Sequence, residues 1–108
     1  MGIKGKEAID QKIDSKPVFI ISKSYCPFCV KAKQVLKKYN IPAENIEIME
    51  IENDEDCNEI QDYMQKLTGG RSVPRVFIGG ECIGGGTETQ AADRRGELRG
   101  LLEAAGAL

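Results

Sequence analysis

Lys23-Ser24-Tyr25-Cys26-Pro27-Phe28-Cys29 decides the fold, because of what stands on either side of it. Ahead of it, Val18-Phe19-Ile20-Ile21 is a continuous apolar run bounded by polar residues, the pattern of a central strand buried on both faces. Behind it, Ala32, Val35, Leu36 and Tyr39 recur at i, i+3, i+4 and i+7, with Lys31, Lys33, Lys37 and Lys38 outside that stripe. Residues 27 to 39 therefore read as an amphipathic helix. With Cys26 as its N-cap and Pro27 as its first residue, the free amides of Phe28 and Cys29 point toward the Cys26 sulfur. Unpaired amides, the positive end of the helix dipole and nearby Lys23 all favour thiolate over thiol. Such sites lower a cysteine pKa from about 8.5 to roughly 3.5 to 7.5.

Cys29 lies on the stripe carried by Ala32 and Leu36 that faces the core, so it is expected to be the less exposed of the pair. The chemistry that follows is thiol-disulfide exchange. Cys26 attacks a substrate disulfide to form a mixed disulfide, and either Cys29 or a second thiol displaces the product. A zinc half-site or a structural crosslink has the same C-x-x-C spacing. Zinc would need two more ligands, and the chain has no histidine and only Cys57 and Cys82 as further thiols, each isolated. No metal is expected. Cys57 reads as a small core residue, and Cys82 as a packing residue that leaves a regulatory disulfide or glutathionylation open.

Working outward, Ile9 and Ile13 predict a short packing helix over roughly residues 5 to 14, and residues 46 to 51 a second strand. Cys57, Ile60, Met64 and Leu67 again hold helical spacing, ended by Gly69-Gly70. Arg75-Val-Phe-Ile78 and Glu81-Cys-Ile83 are short strands joined by the hairpin turn Gly79-Gly80. Thr87-Glu88-Thr89-Gln90 matches a capping box, so a helix is expected to start with the Thr87 hydroxyl accepting from the Gln90 amide. Leu98, Leu101, Leu102 and Ala105 carry the last stripe, with Gly96 breaking the region into two helical pieces. The order α-β-α-β-α-β-β-α specifies the α/β class, a mixed four-stranded sheet flanked by helices.

A chain of 108 residues is sized for one domain, here taken as 1–108, with one modest core. With 15 basic and 17 acidic side chains, the net charge of -2 gives no pull toward nucleic acid or an anionic membrane. No segment is long and apolar enough for a membrane span, and Met1 to Lys6 carries no apolar signal region. Gly2 stands where a myristoyl acceptor would, but Lys6 occupies the position that motif reserves for Ser or Thr. Four cysteines without an export signal fit a reducing compartment, so a cytoplasmic location is expected.

Pro74 opens the third strand and requires an extended Val73, which suits either an ordinary strand-edge proline or a cis peptide in a tight turn. With Lys23-Ser-Tyr-Cys-Pro-Phe-Cys29, Ser72-Val-Pro-Arg-Val-Phe-Ile78 and Ile83-Gly-Gly-Gly-Thr-Glu88 in this order, the chain resembles the dithiol glutaredoxins from about residue 17 to residue 103. The resemblance implies a thioredoxin fold, a cis Pro74 that faces the cysteine pair and contacts glutathione, and a glutathione groove beside Cys26. It implies glutathione as co-substrate, glutathionylated proteins and small disulfides as substrates, and a monomer. Val73 would pair its backbone with the cysteinyl part of glutathione as an added strand does. Lys23, Gln61 and Arg71 would meet the glycine carboxylate; Gly85, Thr87 and Glu88 would hold the γ-glutamyl end. Tyr25 would stand at the groove rim, or serve as a packing aromatic.

The family usually has Thr where this chain has Ser72 and Asp where it has Glu88, changes that keep the chemistry and alter reach. A thioredoxin, reduced by a flavoprotein, would carry Gly-Pro between its cysteines rather than Pro27-Phe28. Some glutaredoxins bridge an iron-sulfur cluster between two subunits, a role that thiolates suit and that Pro27 disfavours.

Overall fold

The computed structural model describes residues 2–108, the side chains of residues 3 and 4 excepted; Met1, where the reading of the amino terminus starts, lies outside the described residues. Helix α1 (Ile3–Ser15) leads into β1 (Val18–Ser22) and α2 (Pro27–Lys37). A single 3-10 turn at Ala43–Asn45 precedes β2 (Ile46–Glu50) and α3 (Cys57–Thr68), and the hairpin β3 (Arg75–Ile78) and β4 (Glu81–Gly84) follows. Helices α4 (Gly86–Arg94) and α5 (Leu98–Ala104) close the chain.

The sheet has the order β2-β1-β3-β4, with β1 parallel to β2 and antiparallel to β3. All five residues of β1 are buried, as a central strand covered on both faces requires. Successive side chains leave it in opposite directions. Val18 and Ile20 enter one core with Ala32, Leu36, Leu98 and Leu102; Phe19 and Ile21 enter the other with Ile9, Ile60, Met64 and Phe77. The sheet is thus clamped between α2, α4 and α5 on one side and α1 and α3 on the other.

Several boundaries differ from the sequence expectation. Helix α1 begins at Ile3 rather than near residue 5, and α2 ends at Lys37, with Asn40 in a left-handed conformation (φ 52) completing the stop. The expected break at Gly96 holds, with φ 73 there between α4 and α5. The larger correction is at α4. Its N-cap is Gly85, not Thr87, and the carboxylate of Glu88 accepts from the Gly85 amide at 2.6 Å. The box formed is the half that a side-chain-free cap permits, and it starts the helix earlier than a threonine cap would.

An early start is what the packing demands. A β-carbon on Gly86 would stand 2.6 Å from the Phe28 carbonyl oxygen, so α4 reaches the first turn of α2 because residue 86 has no side chain. Gly86→Ala is expected to destabilise the reduced protein by about 1–3 kcal/mol in urea unfolding, the usual cost of an overpacked contact against backbone.

Candidate functional site

Cys26 sits where β1 has ended and α2 has not begun. Its amide donates to the Lys23 carbonyl at 3.1 Å, closing a tight turn, while its own carbonyl accepts the first helical bond from Val30 at 3.0 Å. The residue is the N-cap of α2, in extended conformation (φ -78, ψ 122), with Pro27 at the first helical position. That position leaves the amides of Phe28 and Cys29 without helical partners at the end of the helix that carries the Cys26 sulfur. Partial burial pushes the Cys26 thiol up. Hydrogen bonds from the Cys29 amide, the Cys29 thiol and the Phe28 amide, with the charge of Lys23, outweigh it and hold the group below its ordinary value.

Cys29 goes the other way. It has no exposed surface, and burial pushes its thiol up. The contact with Cys26 and the negative charge there add to that rise, against hydrogen bonds from the Lys23 amide, 3.4 Å from the sulfur, and from Ser22. One sulfur is half-exposed and disposed to ionise, while its neighbour is enclosed and disposed to keep its proton. All four cysteines are free thiols.

Across from the pair, the Val73–Pro74 bond is cis, as the family resemblance implied, and the Val73 carbonyl lies 3.9 Å from the Cys26 sulfur. From there a groove of about 330 Å³ runs between Ser72–Arg75, Phe28 and Gly85–Glu88. Five of the residues that the resemblance placed on glutathione, Val73, Pro74, Gly85, Thr87 and Glu88, line this one depression. Lys23 flanks it through its charge on Cys26, and Tyr25 stands 70% exposed, which leaves the packing role for that ring without support.

Gln61 and Arg71 are not among the residues lining the groove. Gln61 is buried, with its amide nitrogen donating to the Arg71 carbonyl at 3.1 Å and its carbonyl accepting from the Cys57 thiol at 3.6 Å. The Arg71 guanidinium binds Asp62 at 2.9 Å and Asn58 at 3.3 Å. Together they tie the segment before Val73 to α3, so their visible work is to hold the loop that presents Val73. Cys57 is half-buried at the start of α3, at the rim of the core rather than inside it; Cys82 packs against the same cluster from β4.

The place of the Arg75 and Phe28 side chains in the groove wall escaped the sequence reading. The Arg75 Nε donates to the Pro74 carbonyl at 3.0 Å, which holds the guanidinium along the groove wall. A cation opening the otherwise apolar strand Arg-Val-Phe-Ile was the available signal. Phe28 is half exposed, with the Lys31 ammonium 5.5 Å over its ring.

A profile of the glutaredoxin family matches residues 18–83. Glutaredoxin-1 of Sus scrofa is 45% identical over 100 residues, 93% of this chain and 94% of that protein. Glutaredoxin-1 of Homo sapiens is 41% identical over 103 residues, 95% of this chain and 97% of that protein. Among solved structures, oxidized glutaredoxin 2 from Chlamydomonas reinhardtii superposes with a TM-score of 0.91 at 46% identity, covering 100% of both chains. A buckwheat glutaredoxin-glutathione complex superposes with a TM-score of 0.86 at 31% identity, covering 94% of this chain and 90% of that one.

The cap geometry separates two neighbouring threonine-box residues. Glu88→Ala is expected to cost about 1 kcal/mol of stability, the usual size of a helix-capping contact, because it strips the Gly85 amide of its acceptor. Thr87→Ala, at an exposed side chain that caps nothing, should cost under about 0.5 kcal/mol. Chemical denaturation of the two variants checks the order.

Proposed function

The chain belongs to the glutaredoxin family and is a glutathione-dependent thiol-disulfide oxidoreductase, and from that premise we propose that Cys26 is the nucleophile, Cys29 the resolving thiol, and the groove from Val73 to Glu88 the glutathione site. One observation carries the reading: the Cys26 sulfur lies at the amides of a helix start and 3.9 Å from the Val73 carbonyl, where the groove begins. A glutathione laid along the Val73 backbone has its sulfur beside the one thiol disposed to ionise.

The preferred substrates are protein-glutathione mixed disulfides, with low-molecular-weight disulfides as a second class. The Cys26 thiolate attacks the glutathione sulfur, forming the Cys26-glutathione disulfide as the protein thiolate leaves and takes a proton. A second glutathione thiolate then attacks that disulfide, releases glutathione disulfide and returns Cys26 as thiolate. In the dithiol branch, Cys29 attacks Cys26 instead, expels glutathione and closes the Cys26–Cys29 bond. The amides that favour the Cys26 thiolate also make it a good leaving group when a second glutathione attacks; in the dithiol branch the leaving group is the glutathione thiolate.

Lys23, Gln61 and Arg71 are the proposed partners of the glycine carboxylate, and the Arg75 cation in the groove wall is a further one. The α4 amides near Thr87 and the Glu88 carboxylate are proposed for the γ-glutamyl end. One Glu88 oxygen already caps Gly85, so this contact has to share that carboxylate. We also propose that the protein works as a monomer in a reducing, cytoplasmic setting, which suits its four free thiols.

In a glutathione-coupled assay with glutathionylated protein, Cys26→Ser is expected to abolish turnover and Cys29→Ser to retain it. Turnover by Cys26→Ser at the wild-type rate would refute the assignment. Lys23→Gln is expected to raise the apparent KM roughly threefold to tenfold, the effect of losing about 1 kcal/mol of exposed charge contact; an unchanged KM would remove Lys23 from the site.

A further inference from the structure

Strand β1 ends at Ser22 and helix α2 starts at Pro27, so Lys23, Ser24, Tyr25 and Cys26 form a connection outside both sheet and helix. Its backbone groups need other partners. Two amides find them nearby, Lys23 donating to the Cys29 sulfur at 3.4 Å and Cys26 to the Lys23 carbonyl at 3.1 Å. The Ser24 amide reaches further. It donates to Glu52 Oε1 at 3.2 Å, and the Ser24 hydroxyl donates to Glu52 Oε2, so both oxygens of one carboxylate hold one residue of the turn.

The sheet brings Glu52 there. Strands β1 and β2 run parallel as far as the pair Ser22 and Glu50, and the Ile51 amide then donates to the Ser22 carbonyl at 2.9 Å. The chain turns at once, with the Asp54 amide donating to the Ile51 carbonyl at 3.1 Å, which leaves residue 52 beside the ends of both strands. Hydrogen bonds to an ionised acceptor are the stronger kind. The Ser24 hydroxyl above all, helped by backbone amides and the Lys33 charge, holds the Glu52 carboxyl below its usual range. Glu52 is therefore charged at neutral pH.

The residues on either side of Ser24 belong to the site. Lys23 puts its charge on Cys26 and is the proposed partner of the glycine carboxylate, and Tyr25 stands exposed beside Cys26. We propose that Glu52 is a positioning residue for glutathione binding: by fixing Ser24 at two atoms it holds Lys23 where the glycine carboxylate arrives. The proposal rests on that assignment of Lys23. The sign of the effect separates this role from plain electrostatics. Glutathione carries two carboxylates and one ammonium, so a nearby Glu52 charge by itself repels it. Removing the charge alone lowers KM, whereas removing the hold on Ser24 raises it.

The test measures kcat and apparent KM for a glutathionylated peptide in the glutathione-coupled assay. Glu52→Ala is expected to raise the apparent KM roughly threefold while kcat stays within about twofold of wild type, the pattern of lost uniform binding. Glu52→Gln keeps a carbonyl for the Ser24 amide and offers an N–H to the Ser24 hydroxyl, so its KM should stay at or below the wild-type value. Ser24→Ala, which loses the hydroxyl and keeps the amide, should show a smaller rise than Glu52→Ala. In a Lys23→Gln background, Glu52→Ala should add almost nothing, because Glu52 acts through Lys23. A wild-type KM in Glu52→Ala would overturn the proposal, as would a Glu52→Gln as impaired as Glu52→Ala, or a rise that adds in full to that of Lys23→Gln. Residues 24 and 52 lie outside both cores, so the variants keep the fold, which equal urea midpoints check. An unchanged KM in Lys23→Gln would instead overturn the placement of Lys23 on the glycine carboxylate.

Discussion

The first turn of α2 leaves backbone N–H groups with no partner inside the helix, and the cysteine at the N-cap stands where they converge. Pro27, which has no N–H, removes one orphan donor and pre-sets the helical φ, so the remaining donors are those of Phe28 and Cys29. Burial by itself would make Cys26 a poor nucleophile; these amides, the Cys29 thiol and the Lys23 charge reverse that. The same helical spacing carries Cys29 inward, where burial has no such offset. Two identical side chains three residues apart therefore differ in their readiness to ionise, and that difference assigns their roles.

The rest of the fold serves this turn. A central strand with no exposed residue aims the turn at the end of the sheet, and the cis Val73–Pro74 segment brings a carbonyl to the sulfur from across the sheet. Helix α4 completes the groove because two glycines let it come close. The Gly85 amide donates to the Glu88 carboxylate, and Gly86 lies against the backbone of Phe28. The loop before Val73 is held at a distance, by Gln61 and Arg71 reaching between it and α3.

Much of this was legible in the amino-acid sequence. The apolar run of β1 and the 3.6-residue stripe of α2 specify the strand-turn-helix unit, and the same stripe foretells the inward position of Cys29. The groove proposed for glutathione was not legible from periodicity and came from resemblance at three separated motifs. The start of α4 was misread because Thr87-x-x-Gln90 is a valid capping pattern locally. Glycine at 85 and 86 is favoured by tertiary approach, which no local pattern encodes. The resemblance placed Gln61 on the glycine carboxylate; helical spacing cannot show that a neighbouring loop also folds over its side chain. The hydroxyl of Ser22 ended an apolar run and drew no notice; only strand pairing with Glu50 shows that it is buried against a carboxylate.

The central claim is that position on the helix, one thiol at the N-cap and the other on the buried face, divides the labour between Cys26 and Cys29. The direct measurement is an NMR pH titration of the reduced protein labelled with carbon-13 at the cysteine β-carbons, which reports each thiol separately. The account predicts that the Cys26 signal moves at a pH below the ordinary thiol value of about 8.5 and the Cys29 signal above it. Two transitions together at the ordinary value, or Cys29 ionising first, would contradict it.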